Sequence, residues 1–394
     1  MSTQVSDSRF LVAGVEDPRP VLIIGGAGFI GSNLAHGILT SGQAVRVLDN
    51  LSRPGVGQNL TWLQDTHRDR LEAMIADVAD RDALARAIDG VSAIFHLAGQ
   101  VAVTTSLKEP LADFEVNLRG TLNVLETLRA QKDPPPLLFT STNKVYGGLE
   151  DVTLEETDRR YQPHDPVIRQ SGIDEQRSLC LRSPYGCSKG GADQYVLDYA
   201  KTFGLRTIAF RMSCIYGPHQ LGNEEQGWVA HFALRALQRA GVTLYGDGKQ
   251  VRDILFVTDL VDAMLRAMRD IDRLSGLAFN IGGGPERAVS LHEVLGLLES
   301  TSGQPIEIRF APWRPGDQLY YVSDIRAFHR ATGWKPQVDV RTGVTALWTW
   351  LREQRIEPPA ALPGEHIASM ESDMEPRREP RREPRRARHA GAVS

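Results

Sequence analysis

The sequence predicts an α/β fold: a doubly wound parallel sheet followed by a smaller C-terminal lobe. Three observations carry this. Short continuous apolar runs, such as Val21-Leu22-Ile23-Ile24, have the composition of strands buried on both faces. These runs alternate with helical patterns to about residue 210, the order a parallel sheet requires because each crossover takes a helix. The first run also passes straight into a glycine-rich turn that opens a helix.

In chain order, residues 1–18 read as an N-terminal extension ahead of the first strand. Gly25, Gly28 and Gly31 follow that strand in a G-x-x-G-x-x-G pattern, with Phe29 and Ile30 between them. Missing side chains let backbone approach a pyrophosphate, which rests on the N-terminus of the next helix. That helical pattern runs through Leu39. The second strand, Ala44–Leu48, ends at Asp49, an acid placed to bond both ribose hydroxyls of an adenosine and to repel a 2′-phosphate. This favours NAD over NADP, although Arg53, close by in sequence, weighs the other way. Asp77, in Ile75-Ala76-Asp77-Val78, is placed to meet the adenine amino group. Ile94-Phe95-His96-Leu97-Ala98-Gly99 is a strand ending in small residues that leave room for a cofactor. Leu137–Thr142 is a further strand whose hydroxyls emerge at its carboxyl end, where open α/β sheets bind ligands.

Helical candidates at 112–129 and 184–203 have apolar faces. The second carries Tyr185 and Lys189, one turn apart on one face. An ammonium beside a phenol favours the phenolate, which gives a base for a sugar hydroxyl. On its own, Y-x-x-x-K is an ordinary surface pair; strand, glycines, helix, strand and acid in order give it a setting. Cys187 lies between them but is turned off their face by its i+2 offset.

With these residues assembled, the chain resembles an extended short-chain dehydrogenase/reductase of the nucleotide-sugar epimerase/dehydratase family over roughly residues 20–350. The resemblance implies a Rossmann sheet and bound NAD. In Thr142-Asn143-Lys144-Val145-Tyr146-Gly147 it implies that Thr142 is the catalytic hydroxyl, with Tyr185 the base and Lys189 its partner on the nicotinamide ribose. The implied cofactor contacts are Gly25, Gly28, Phe29, Ile30, Gly31, Asp49, Asn50, Asp77, Val78, Leu97, Ala98, Gly99 and Asn117, besides Tyr185 and Lys189. Arg252, in Val251–Val257, and Arg314, in Arg314-Pro315-Gly316-Asp317, resemble the family's two diphosphate clamps. A guanidinium matches phosphate oxygens bidentately.

One departure narrows the reaction. The family's 4,6-dehydratases follow the catalytic threonine with Asp and Glu; here Asn143 and Lys144 stand there. An amide and an ammonium cannot serve as that acid/base pair at neutral pH. The Asn143-Lys144 pair and Gln226-Gly227-Trp228 resemble instead the family's 2-epimerases of CDP-hexoses, the paratose-to-tyvelose type. Many 4-epimerases carry Asn where this chain has Cys214. Substrate contacts are therefore expected at Asn143, Lys144, Cys214, Gln226, Trp228, Arg252 and Arg314, with a CDP-sugar as substrate. The polar, proline-broken stretch from Gly148 to Arg182 reads as a loop capping the substrate, or else a passive surface insertion. A 4-epimerase or 4-ketoreductase using the same Tyr185, Lys189 and Thr142 stays open, as does a catalytically silent NAD-binding regulator. The resemblance further implies a homodimer through the two apolar-faced helices, whose faces the sequence equally allows to be core.

The domains expected are 19–212 for the NAD-binding part and 213–355 for a substrate lobe partly interleaved with it. Residues 356–394, with Glu-Pro-Arg-Arg repeated from 375, form a low-complexity tail that cannot bury apolar surface. A net charge of −4 gives no general pull toward nucleic acid or anionic membrane. No apolar run reaches bilayer length and no signal pattern opens the chain. Cys180, Cys187 and Cys214 read as free thiols of a cytoplasmic protein. The histidines show no metal-ligand spacing.

Overall fold

In a computed structural model of the chain, residues 17–314 and 316–354 are described. Seven parallel strands form the main sheet. Five come early: β1 (Val21–Ile24), β2 (Val45–Asp49), β3 (Leu71–Ile75), β4 (Ala93–His96) and β5 (Leu137–Thr142). Thr207–Met212 and Ala278–Ile281 complete it. The order from one edge is β3, β2, β1, β4, β5, Thr207–Met212, Ala278–Ile281. Strand succession reverses between β1 and β4, so a crevice opens at their carboxyl ends, where Gly25 and Leu97-Ala98 lie.

The continuous apolar runs have a direct cause. Along β1, Val21 and Ile23 face one helical layer, with Leu34, Ile38, Leu60 and Met264. Leu22 and Ile24 face the other, with Leu84, Val124, Leu128 and Val196. With both faces buried, no polar position is left for alternation. Asp80 starts the Arg81–Ile88 helix by accepting from the amides of Asp82 and Ala83. Ser290 and Glu293 form a reciprocal capping box on the Leu291–Ser302 helix.

Beyond Met212 the chain builds a second, smaller sheet around Val251–Phe256. That strand pairs with Cys214–Tyr216, Ala288–Ser290 and Tyr320–Tyr321. Tyr216, Phe232, Leu244, Ile254, Phe256 and Leu347 pack its core. The Val257–Arg269 helix and the Ala278–Ile281 strand nonetheless return to the main sheet.

Two elements differ from the sequence reading. The helical stretch expected over 112–129 is three pieces: Pro110–Phe114, a π-helical turn Glu115–Arg119, and Gly120–Arg129. The stretch from 148 to 182 is no simple loop. It holds a hairpin (Leu154–Glu156 with Tyr161–Pro163) and a short helix, Pro166–Ser171. The expected extension falls mostly, and the expected tail falls entirely, outside the described residues.

Candidate active site

The glycine-rich turn is built by close backbone approach. Gly25 sits at φ 85°, and a Cβ there would lie 2.6 Å from the Ala98 amide nitrogen. A Cβ on Gly31 would lie 2.3 Å from the Gly25 carbonyl oxygen. Only glycine fits such contacts. The Phe29–Thr40 helix begins at Gly28 with no side-chain cap, so its first amides remain open for an anion. Asp49 accepts from the Ala27 amide at 3.0 Å and the Leu51 amide at 2.9 Å, which fixes the turn against the end of β2. A carboxylate has about four acceptor sites, so capacity remains for ribose hydroxyls. Asn50 donates to Asp77 at 2.6 Å across the ends of β2 and β3. Leu97 and Ala98 both donate to the Ile24 carbonyl, and Val78 is buried beneath the crevice, against Gly120. Asn117 Oδ1 is buried without a partner, and a Cβ on Gly99 would come within 2.8 Å of it. Open amides, glycines that leave room, and an unpartnered acceptor at the far end fit NAD.

Arg53 is placed differently from its sequence reading. Its guanidinium donates to Gln226 Oε1, toward the smaller lobe, so it is engaged away from any 2′-phosphate. The objection to NAD falls with it.

β5 delivers Ser141 and Thr142 to the mouth of the crevice. Thr142 caps a 3-10 turn, Asn143–Tyr146, accepting from the Lys144 amide at 3.2 Å. Tyr185 and Lys189 lie on the Ser183–Phe203 helix and are both buried, while Cys187 is exposed. The Thr142 hydroxyl favours the ionised form of the Tyr185 phenol. Burial pushes that phenol up to about 12, against this effect, and Asp113 adds to the rise. Burial likewise pulls Lys189 down to about 7, against the attraction of Asp193 and Asp113. Its Nζ sits 4.2 Å from the centre of the Phe139 ring. This corrects the expectation that the ammonium by itself makes a phenolate of Tyr185: without a further positive charge, burial dominates.

A buried network behind this corner was not found from sequence. Asp113 accepts from Gln100, Asn117 and Ser188. The Tyr185 amide donates to Ser106 Oγ at 3.1 Å. One turn beyond Lys189, Asp193 accepts from two of the Arg211 nitrogens, Nη2 at 2.9 Å and Nε at 3.0 Å. Arg211 also donates to the Tyr146 hydroxyl, which donates to Asn280. Ser188, next to Lys189, and the i,i+4 spacing of Asp113 and Asn117 were the available signals.

A cavity of about 360 Å³ opens in front of Thr142 and Tyr185, within the range of small-molecule sites. All the expected substrate contacts border it: Asn143, Lys144, Cys214, Gln226, Trp228, Arg252 and Arg314. Of the expected cofactor set, Phe29, Ile30 and Tyr185 border it, whereas Lys189, Asn117 and the others do not. Arg252 pairs with Asp317 at 2.7 Å, and Lys144 approaches the same carboxylate at 3.7 Å. Burial pulls Lys144 down to about 8, helped by Arg252 and opposed by Asp317. Burial would raise Asp317, but Arg252 and then Lys144 hold it below the usual carboxylate range. Arg314 lies 3.8 Å over the Tyr245 ring and donates to the Glu224 carbonyl. Trp228 Nε1 donates to Cys214 Sγ at 3.4 Å, and burial raises that thiol. No residue from 148 to 182 borders the cavity, so the substrate-cap reading is corrected. That segment packs Leu149, Val152 and Ile173 against Tyr146 and Tyr321 instead.

Comparison with known proteins agrees with this geometry. The family model described as "NAD dependent epimerase/dehydratase family" matches residues 21–282. The chain is 42% identical over 339 residues to CDP-paratose 2-epimerase of Salmonella typhi, covering 84% of this chain and 98% of that protein. It is 31% identical to UDP-glucose 4-epimerase of Mycolicibacterium smegmatis, covering 84% and 98%. Its structure is similar to that of Thermus thermophilus UDP-glucose 4-epimerase in complex with NAD, at TM-score 0.71 and 32% identity, covering 84% and 99%. The chain belongs to the NAD dependent epimerase/dehydratase family.

Proposed function

We propose that this enzyme epimerises a CDP-hexose at C2 through a transient 2-keto sugar. The observation that carries the reading is the set of groups on the cavity wall. Tyr185 and Thr142 face it together with an amide and an ammonium, Asn143 and Lys144, at the two positions after Thr142, while of the carboxylates on the wall Asp317 is paired with Arg252. Similarity to a CDP-paratose 2-epimerase supports the choice of nucleotide and carbon.

When bound, NAD would supply reversible hydride exchange and the positive charge of its oxidised ring. In the proposed roles, Tyr185 removes the proton from the C2 hydroxyl and later returns it. Thr142 hydrogen-bonds the reacting oxygen and steadies the charge that develops there. Lys189 and Asn117 hold the ribose end of the cofactor, and Asp49 and Asp77 its adenosine end. Arg252 and Arg314 grip the diphosphate, so the sugar turns about that anchor and presents its other face. Lys144 and Asn143 contact the sugar, while Trp228 with Cys214 forms the wall against which it rests. Gln226, held by Arg53, closes the side of the cavity.

Two broader assignments belong here. We assign a homodimer to the chain, supported by the exposed apolar residues Leu107, Leu111, Phe114, Tyr195 and Phe203 on neighbouring helices. We place it in the reducing cytoplasm, supported by three free cysteines, two of them exposed. No described helix is long and apolar enough to cross a membrane.

The test is a panel of CDP-, UDP- and dTDP-hexoses followed by proton NMR of the products. Inversion at C2 of a CDP-hexose, with no net consumption of reduced cofactor, is the expected result. Inversion at C4 of a UDP- or dTDP-hexose, with CDP-hexoses inert, would replace this reading by a 4-epimerase; stoichiometric cofactor oxidation would make it a reductase.

A further inference from the structure

Asp113 is completely buried, on the short helix Pro110–Phe114, and no cation lies within ion-pair distance of it among the described residues. Burying a carboxylate is costly unless its oxygens are fully bonded. Here three donors from three segments converge on it. Gln100 follows β4, Asn117 sits on the π-helical turn, and Ser188 lies on the Ser183–Phe203 helix between Tyr185 and Lys189. An ionised carboxylate accepts only, so it dictates how each donor is turned.

The consequence is clearest at Asn117. Its Nδ2 is shared among Asp113 at 3.1 Å, the Gln100 carbonyl at 3.0 Å and Ser188 at 3.2 Å. Its Oδ1 therefore points the other way, where it is buried and unpartnered. A Cβ on Gly99 would come within 2.8 Å of that oxygen and 3.7 Å of Lys189 Nζ, so both groups border one small space. The π-helical turn has a use here, since an inserted residue re-aims a side chain at a functional site.

We propose that Asp113 is a positioning residue for this reaction: it sets the orientation of the Asn117 carboxamide and of Ser188, and its charge stands one hydrogen bond from the helical turn that carries Tyr185 and Lys189. The proposal rests on the epimerase reading above. Among the other charges, Asp193 raises Lys189 more than Asp113 does, although it also has a partner of its own. Arg211 clasps Asp193 with two hydrogen bonds. Burial keeps His96 neutral, holding it down at about 3. Glu115 pairs with Arg119 and Glu126 with Arg129 at the surface. Lys144 pairs with Asp317 at the cavity. Asp113, whose own carboxyl burial pushes up, is the one anion of these that raises both Lys189 and Tyr185.

That shared direction gives a distinctive signature. Asp113→Asn keeps the shape and removes the charge. Lys189 then loses its proton at lower pH, and Tyr185 does too. Both limbs of the pH–kcat profile should move together to lower pH, by about one unit, with kcat reduced about tenfold or more and KM little changed. A purely structural role would lower the height of the profile or the melting temperature and leave both limbs in place; that result overturns the proposal. The profile is read on whichever nucleotide sugar the wild-type enzyme turns over, so an error in the C2 assignment does not touch it. A measurement without substrate covers an inactive wild type. The pH dependence of the stability difference between Lys189→Met and its parent reports Lys189 ionisation, and in the Asp113→Asn background its midpoint should fall by about one unit. An unmoved midpoint counts against the proposal. Should Asp113→Asn fail to fold, Ser188→Ala decides. It should lose about fivefold or more in kcat at unchanged KM, as expected for a lost hydrogen bond to a charged group. Full turnover would break the link through which Asp113 acts.

Discussion

Lys189 carries its ammonium where burial works against it. Only 4% of the residue is exposed, its Nζ faces the Phe139 ring, and burial pulls it down to about 7. A lysine depressed in the folded state contributes stability that is complete above its unfolded value, about 10.4, and is lost as pH falls through the folded value. Lys189→Met should therefore be more stable than wild type by about 2 kcal/mol or more at pH 6, and the gain should vanish above about pH 10. Urea denaturation across pH measures it; a loss of stability at pH 6 would show that the ammonium is well paired. The same site illustrates the exchange of stability for function, because that variant should be inactive. Tyr185→Phe removes the proton carrier and leaves the ring. It should lower kcat about 10³-fold or more while the cofactor stays bound, as followed by turnover and by absorbance of released nicotinamide. Across the cavity, Arg252 is 7% exposed at its side chain and held by Asp317. Arg252→Met should raise KM about tenfold or more with a smaller change in kcat, since it removes a grip on a group distant from the reacting carbon.

The elements that position these residues were unequally legible. β1 follows from composition alone, because a strand buried on both faces has no polar position to obscure it, and β2, β4 and β5 show as largely apolar runs that end in polar residues. The glycine-rich turn was legible for the same reason: its contacts exclude any side chain. Gly31→Ala should abolish cofactor retention and lower the melting temperature by several degrees, as a backbone clash of this kind costs on the order of 1–3 kcal/mol. Calorimetry with and without added NAD checks both parts. The π-helical turn at Glu115–Arg119 was not legible, since its apolar spacing passes for an ordinary helix while its purpose lies in partners 71 residues away at Ser188. The stretch from 148 to 182 misled for a related reason. Its few apolar residues look insufficient for a core, but Tyr321 and Tyr146 complete one, and that pairing spans more of the chain than local patterns reach. Arg53 was read by its nearness to Asp49, whereas its partner, Gln226, is 173 residues on.

Across the whole molecule, the main sheet and the smaller lobe place Tyr185, Thr142 and two arginines, Arg252 and Arg314, around one cavity. The apolar surface left exposed argues for a second copy. Leu111 is 79% exposed and lies close in sequence to exposed Leu107 and Phe114, and clustered exposed apolar groups mark interaction sites. Leu111→Glu should shift the enzyme from dimer to monomer in analytical ultracentrifugation; a wild-type monomer would redirect that surface to another partner. The proposed chemistry turns on where the hydrogen at C2 comes from. The direct measurement is proton NMR of the sugar epimerised in heavy water by the cofactor-loaded enzyme. Hydrogen removed to the dinucleotide and given back should leave C2 of the product carrying protium. Deuterium at C2 in step with turnover would mean that the carbon was deprotonated, and would contradict the oxidation and re-reduction proposed here.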